Sequence, residues 1–318
     1  MSIRSLIPFA LGLAVLAWVL ACFDLNAVLQ SMAQVGIGGF ALIVVAGLIE
    51  EGALASGLSP LLPRKMPFRD VWMARQLRDT AGDILPITQL GGMAAAARAL
   101  VLLGLEGAEA MAVEVADVTT ELFAQSIFIL IGVAVSFSLL KADATLSPLM
   151  GAILGGAILL ALGSIGFALV QMHGSRWVEK FSLKLITGHQ HHVQAFREAI
   201  HAIYRRRGAV ALSVLLHLMG WASSGLWLWL MLWLMGTHAT IGTAIAIASL
   251  VEGLRSATVF IPAAIGVQEI GFVTLAPVFG LSPDTGLAIS LLSRARDLVV
   301  GVPVLLAWQW VEGRRVIR

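Results

Sequence analysis

Ionisable side chains recur in this chain inside stretches that are otherwise apolar, and their spacing is helical. Glu114, Asp117 and Glu121 stand at i, i+3 and i+7, which places them on one stripe of a helix. Glu252 and Arg255 form an i, i+3 pair, Glu269 follows, and Arg294, Arg296 and Asp297 cluster within a late apolar stretch. Earlier, Glu50 and Glu51 lie side by side, and Asp83 and Arg98 flank a double glycine. Together these are nine acids against four arginines. At membrane depth each such group costs at least ~2.5 kcal/mol unless it finds a partner or a wet cavity. A guanidinium there can hold a phosphate or hydroxylated group through parallel N–H bonds, and a carboxyl can balance it or exchange a proton. Convergence on one polar cavity is therefore expected for Asp83, Arg98, Glu121, Glu252, Arg255, Glu269, Arg294 and Asp297, as the binding and translocation residues. The competing reading is that several of them are helix-to-helix ion pairs that only fix packing, with Glu114 at the membrane interface.

The elements that must position these groups follow from composition. Of 318 residues, 58% are hydrophobic and only 40 carry charge, 21 basic and 19 acidic. Mean hydropathy is +0.91. A soluble domain is nearer ~25% charged, so the balance excludes a cytosolic enzyme, and the single Cys22 excludes a disulfide scaffold. With roughly 20 apolar residues needed per helical crossing, six crossings are expected: Leu6 to Phe23, Val35 to Leu62, Ala110 to Leu140, Pro148 to Met172, Ala209 to Met235 and Asp284 to Val311. One set of connections, with both chain ends, carries sixteen Lys and Arg, five of them in Pro63 to Arg78; the opposite set carries one, Lys141. The positive-inside rule then makes both termini cytoplasmic. The run ending in Leu20-Ala21-Cys22 has some likeness to a lipoprotein signal, but Leu20 is bulky for such a cleavage site, so an uncleaved first helix is expected.

Two apolar stretches do not read as simple crossings. Residues 79–103 are broken by Pro86 and Gly91-Gly92, and residues 241–280 by Pro262 and Gly266. Each must return to its side of origin for the charge tally to hold, so both are expected to be re-entrant hairpins. Broken helices survive at membrane depth only inside protein or beside a water-filled cavity. The fold expected is thus an all-α integral membrane protein with an inverted-topology repeat, residues 1–140 forming one half and 141–318 the other. Pro86, Gly91, Gly92, Pro262 and Gly266 mark the hairpin tips. Residues 173–207 are polar, with Val193, Phe196, Ile200 and Ile203 at helical spacing, as in an amphipathic helix lying on the inner membrane surface. His189, His191 and His192 lack neighbouring Cys or carboxylate and read as a solvated turn, so no metal is expected.

No Lys follows a Gly, and H-E-x-x-H and G-x-S-x-G are absent, so nucleotide hydrolysis through a P-loop and the familiar hydrolase chemistries are not signalled. No cofactor and no nucleic-acid partner are expected. Trp221, Trp227, Trp229 and Trp233 crowd one helix, either as lipid-facing packing or as flat surfaces for a ring or acyl chain, whereas Trp308 and Trp310 read as an interfacial belt.

Two motifs carry a resemblance. Arg78-Asp79-Thr80-Ala81-Gly82-Asp83-Ile84-Leu85-Pro86, followed by Gly91-Gly92 and Arg98, resembles the first signature of the flippase-like, lysylphosphatidylglycerol-synthase-type transmembrane proteins. Pro262-Ala263-Ala264-Ile265-Gly266-Val267-Gln268-Glu269, followed by Arg294-Ala295-Arg296-Asp297, resembles the second. Glu252-Gly253-Leu254-Arg255-Ser256 and Leu305-Leu306-Ala307-Trp308-Gln309 look most like the hopanoid-biosynthesis-associated HpnL branch. The resemblance implies a bacterial inner-membrane lipid transporter or flippase with no aminoacyl-transferase domain, acting on a hopanoid or phospholipid-like membrane lipid. The alternative it leaves is a non-transporting scaffold for lipid-biosynthetic enzymes. One departure is that Gly91-Gly92-Met93 lacks the acid that follows the proline in the common pattern, a loss that suits a poorly charged lipid.

Overall fold

The computed structural model describes residues 25–84, 89–140, 190–258, 261 and 264–316, with isolated positions 155, 158, 162 and 166. Every regular element among the described residues is helical. In chain order they are α1 (Leu25–Ser56), a 3-10 turn (Ser59–Leu61), α2 (Phe68–Ile84), α3 (Gln89–Leu102), α4 (Gly107–Leu140), α5 (Gln190–Arg205), α6 (Arg207–Leu234), α7 (Ile241–Ala257), α8 (Val267–Val278) and α9 (Pro283–Val316). The first and fourth expected crossings, Cys22, Pro86, Pro262 and the polar segment before Gln190 lie outside the described residues.

Among the described residues, three helices are long and apolar enough to span a bilayer: residues 33–61, α4 and α6. At ~1.5 Å rise per residue, the 34 residues of α4 reach well beyond a hydrocarbon core of ~30 Å. The outward faces agree with lipid contact, since α1 and α6 expose Ile37, Val45, Ile49, Leu215, Met219 and Trp233, a density of large apolar groups that water disfavours. Local signals set the ends. Thr240 caps α7 by accepting the Thr243 backbone N–H at 3.1 Å. Gly104, at φ 96°, lets the chain turn out of α3 while Leu105 N–H bonds back to Leu100 O at 3.1 Å. Gly36, at φ 63°, interrupts α1 with a kink.

Two positions differ from expectation. α2 begins at Phe68, so Arg75 and Arg78 belong to a buried helix and not to a solvated cytoplasmic loop. Ile200 and Ile203 of α5 are buried in a cluster with Leu61, Leu100 and Val113, so this helix turns its apolar face onto α4 and not onto a membrane surface. Elsewhere α1 packs on α6, α4 on α6 and α7, and α9 on α1, α2 and α8. α2 lies along α3, and α7 against α8.

Candidate functional site

Eight of the nine described helices, all but α5, converge on one cavity of about 490 Å³. Its wall is charged to a degree that only mutual pairing tolerates: seven acids and four arginines line it. The charges fall into two groups that behave differently.

The first group is a clamp between α2 and α4 in which both arginines use Nε, Nη1 and Nη2. Arg75 and Arg78 stand one helical turn apart on α2 and meet the Glu114, Asp117, Glu121 stripe of α4. Arg75 donates from Nε to Asp79 at 2.6 Å, from Nη1 to Asp117 at 3.3 Å and from Nη2 to Glu121. Arg78 donates from Nε to Asp79 at 3.2 Å, from Nη1 to Asp117 at 2.7 Å and from Nη2 to Glu121 at 2.5 Å, with Glu114 at 3.7 Å. His217 of α6 completes the group, its Nε2 lying 2.9 Å from Asp117 Oδ1. Arg75, Arg78, Glu114, Asp117 and His217 are all buried. Gly57 lies against the His217 ring so closely that a Cβ there would come within 2.6 Å of it.

The second group is sparser and faces the cavity. Arg255 donates to Asp83 at 3.2 Å and pairs with Glu252 at 3.5 Å, while Gln125 donates to Glu252 at 2.8 Å. Arg296 pairs with Glu51 at 2.6 Å and Asp297 at 3.0 Å, donates to Gly47 O at 2.8 Å and lies over the Trp227 ring, 5.3 Å from its centroid. Trp227 is itself fixed by its Nε1–H to Ile43 O at 2.9 Å. Trp221 stacks on Phe128 with centroids 6.2 Å apart and also lines the cavity.

Of the expected site residues, Asp83, Glu121, Glu252, Arg255 and Asp297 line this cavity. Glu269 and Arg294 are brought together beside it instead: Glu269 accepts from Arg294 Nε and Ser290 Oγ, each at 3.2 Å, and from the Gly266 N–H at 2.7 Å, capping α8. Arg98 is elsewhere, which corrects the expectation of a single convergent set. The buried stripe of α3 runs through Met93, Ala96, Ala97 and Leu100, and Arg98 falls off it to pair with Glu312 of α9 at 2.9 Å, half exposed. Gly92 lies where a Cβ would meet Arg78 O at 2.5 Å, so it serves close helix approach between α2 and α3. Reading the sequence alone missed Arg75, Arg78 and Asp79 because they sit next to a basic loop. Their i, i+3, i+4 spacing, complementary to the acidic stripe of α4, was the available signal.

The chain matches the family described as the lysylphosphatidylglycerol synthase TM region across residues 5–304. It belongs to that family. The match covers every helix that lines the cavity, α9 included as far as Arg296 and Asp297. Membership in the lysylphosphatidylglycerol synthase TM region family makes the chain a membrane protein of lipid biosynthesis or handling. No curated protein and no solved structure matches it.

Proposed function

We propose that this chain is a flippase-like lipid transporter of the bacterial inner membrane, a carrier and not an enzyme, working on a hopanoid or related lipid. In this reading both termini are cytoplasmic, and α2–α3 and α7–α8 are re-entrant hairpins entering from opposite sides, one in each half of an inverted-topology repeat. The carrying observation is a charged cavity of about 490 Å³ enclosed by helices whose outer faces are apolar. Such a body offers a polar headgroup a paired, solvated interior while the tail stays in lipid. Asp83, Glu121, Glu252, Arg255 and Asp297 line that path, and the Glu269–Arg294 pair supports the second hairpin.

The buried α2–α4 clamp favours a second reading, an accessory that scaffolds lipid-biosynthetic enzymes, because charges that only join helices need no cargo. Two measurements separate the two. Mass spectrometry should find a co-purifying lipid, and proteoliposomes containing the protein should move a fluorescent analogue of that lipid between leaflets faster than empty liposomes. A purified, folded protein that retains no lipid and moves none, yet captures cyclase-type enzymes, would overturn transport in favour of the scaffold.

A further inference from the structure

The partner of each polar atom on the cavity wall indicates what the cavity can accept. Its four arginines are committed to carboxylates: both clamp arginines use their whole forks, Arg255 is shared between Asp83 and Glu252, and Arg296 between Glu51 and Asp297. Each of their charges is therefore already balanced by carboxylates, although the Arg296 Nε–H has no acceptor. With Arg296 Nε, four atoms on the wall are buried without a hydrogen-bond partner, the other three being Gln125 Oε1, Glu51 Oε2 and Trp221 Nε1. Gln125 is 6% exposed, and its amide orientation is fixed because Nε2 donates to Glu252 Oε1 at 2.8 Å, leaving Oε1 as a bare acceptor. Trp221 is held by its stacking on Phe128, with its N–H as a bare donor. Buried polar atoms are rarely left unpaired unless something else completes them.

We infer that the cavity recognises an uncharged, hydroxyl-bearing headgroup, read by Gln125, Trp221 and Glu51. This rests on the reading that the cavity holds a lipid headgroup. A phosphate brings acceptors only and would face an excess of carboxylates. An ammonium brings donors only and leaves the Trp221 N–H unmet. A hydroxyl both donates and accepts, so a group with several of them can satisfy Gln125 Oε1, Glu51 Oε2 and Trp221 Nε1 together. A volume of about 490 Å³ falls within the ordinary range for a small-molecule site of ~300–1,000 Å³.

The test uses the full chain in phosphatidylcholine nanodiscs, titrated with three dioctanoyl lipids: a glucosyl diacylglycerol, a phosphatidic acid and one with a primary-amine head. Tryptophan fluorescence is the readout, and the change should disappear in Trp221→Phe. The glucosyl lipid should bind at least roughly ten-fold more tightly than either charged lipid, and near-isosteric Gln125→Met should erase most of that preference, as expected for one buried hydrogen bond. Equal or tighter binding of the phosphatidic acid or the amine lipid by the unaltered protein overturns the inference. So does a preference that survives Gln125→Met with an unchanged melt. Selective binding without translocation would overturn the transporter reading and leave this inference standing, whereas translocation of all three lipids alike would do the reverse.

Discussion

Arg78→Ala and Arg255→Ala should part stability from function. Arg78 is 3% exposed and faces four carboxylates, Asp79, Glu114, Asp117 and Glu121, at 2.5–3.7 Å. Its removal leaves those acids with only Arg75 and His217. Breaking a buried charge network by deleting one partner costs about 3–5 kcal/mol, a large share of the roughly 5–15 kcal/mol that holds most folds together. Arg255 is 30% exposed and its partner Asp83 28% exposed, so its loss should cost at most about 1 kcal/mol. The expected result is a steeply lowered melt in detergent for Arg78→Ala. Arg255→Ala should melt close to the unaltered protein and yet lose at least roughly ten-fold in lipid translocation in proteoliposomes, with Arg255→Lys restoring part of it because Lys lacks the planar fork. Arg78→Leu combined with Asp117→Leu should regain stability relative to Arg78→Ala, since the most deeply buried acid leaves with its partner. An unaltered melt for Arg78→Ala would refute the clamp. Full transport by Arg255→Ala would refute the functional role of the sparser group.

Gly132 faces α7 so closely that a Cβ would fall 1.5 Å from Ser249 Oγ, so Gly132→Ala should cost about 1–3 kcal/mol in a melt and Ser249→Gly should rescue it. Gly286→Ala meets backbone instead, Phe272 O at 2.4 Å, so trimming a neighbouring side chain should give no comparable rescue. Arg206→Ala removes donors to the carbonyls of Pro60, Leu61 and Leu62 and should destabilise by about 1–3 kcal/mol, read by the same melt. In a Cys22→Ser background, cysteines at Asn26 and Thr237 should label from outside intact cells, and those at Lys65 and His191 only after permeabilisation; outside labelling at His191 would reverse the topology drawn from the charge tally.

Helix positions were legible wherever an apolar run was long. Residues 110–140 and 209–235 were expected as helices, and the first lies within α4 and the second, up to Leu234, within α6, because hydropathy alone marks such segments. α2 was legible only in part: Arg69, Arg75 and Arg78 make its first half read as a basic connection until the acids that neutralise them are known, while the stretch from Asp79 was expected as the start of a hairpin. The same blindness affected Arg98. Both Arg98 and Arg78 follow small or apolar residues near the first signature, and only the helical phase, which puts one on the buried stripe and the other off it, separates clamp from surface pair. Pairing across long sequence separations, such as Arg296 with Glu51 and the Gly47 carbonyl, has no local signature at all.

The two charge groups also divide the mechanical work around the cavity. The clamp joins α2, α4 and His217 of α6 through buried bonds, and Arg296 joins α9 to α1 through buried ones. Among the described residues, α2 and α7 are joined by the Asp83–Arg255 ion pair at 3.2 Å, with both side chains about a third exposed. Hydration can replace the bonds of such a pair when it opens, whereas opening the clamp would strand several ions in an apolar interior. Of these three ionic connections, the α2–α7 pair is therefore the least costly to open, and opening it leaves the network that keeps α2 in place intact.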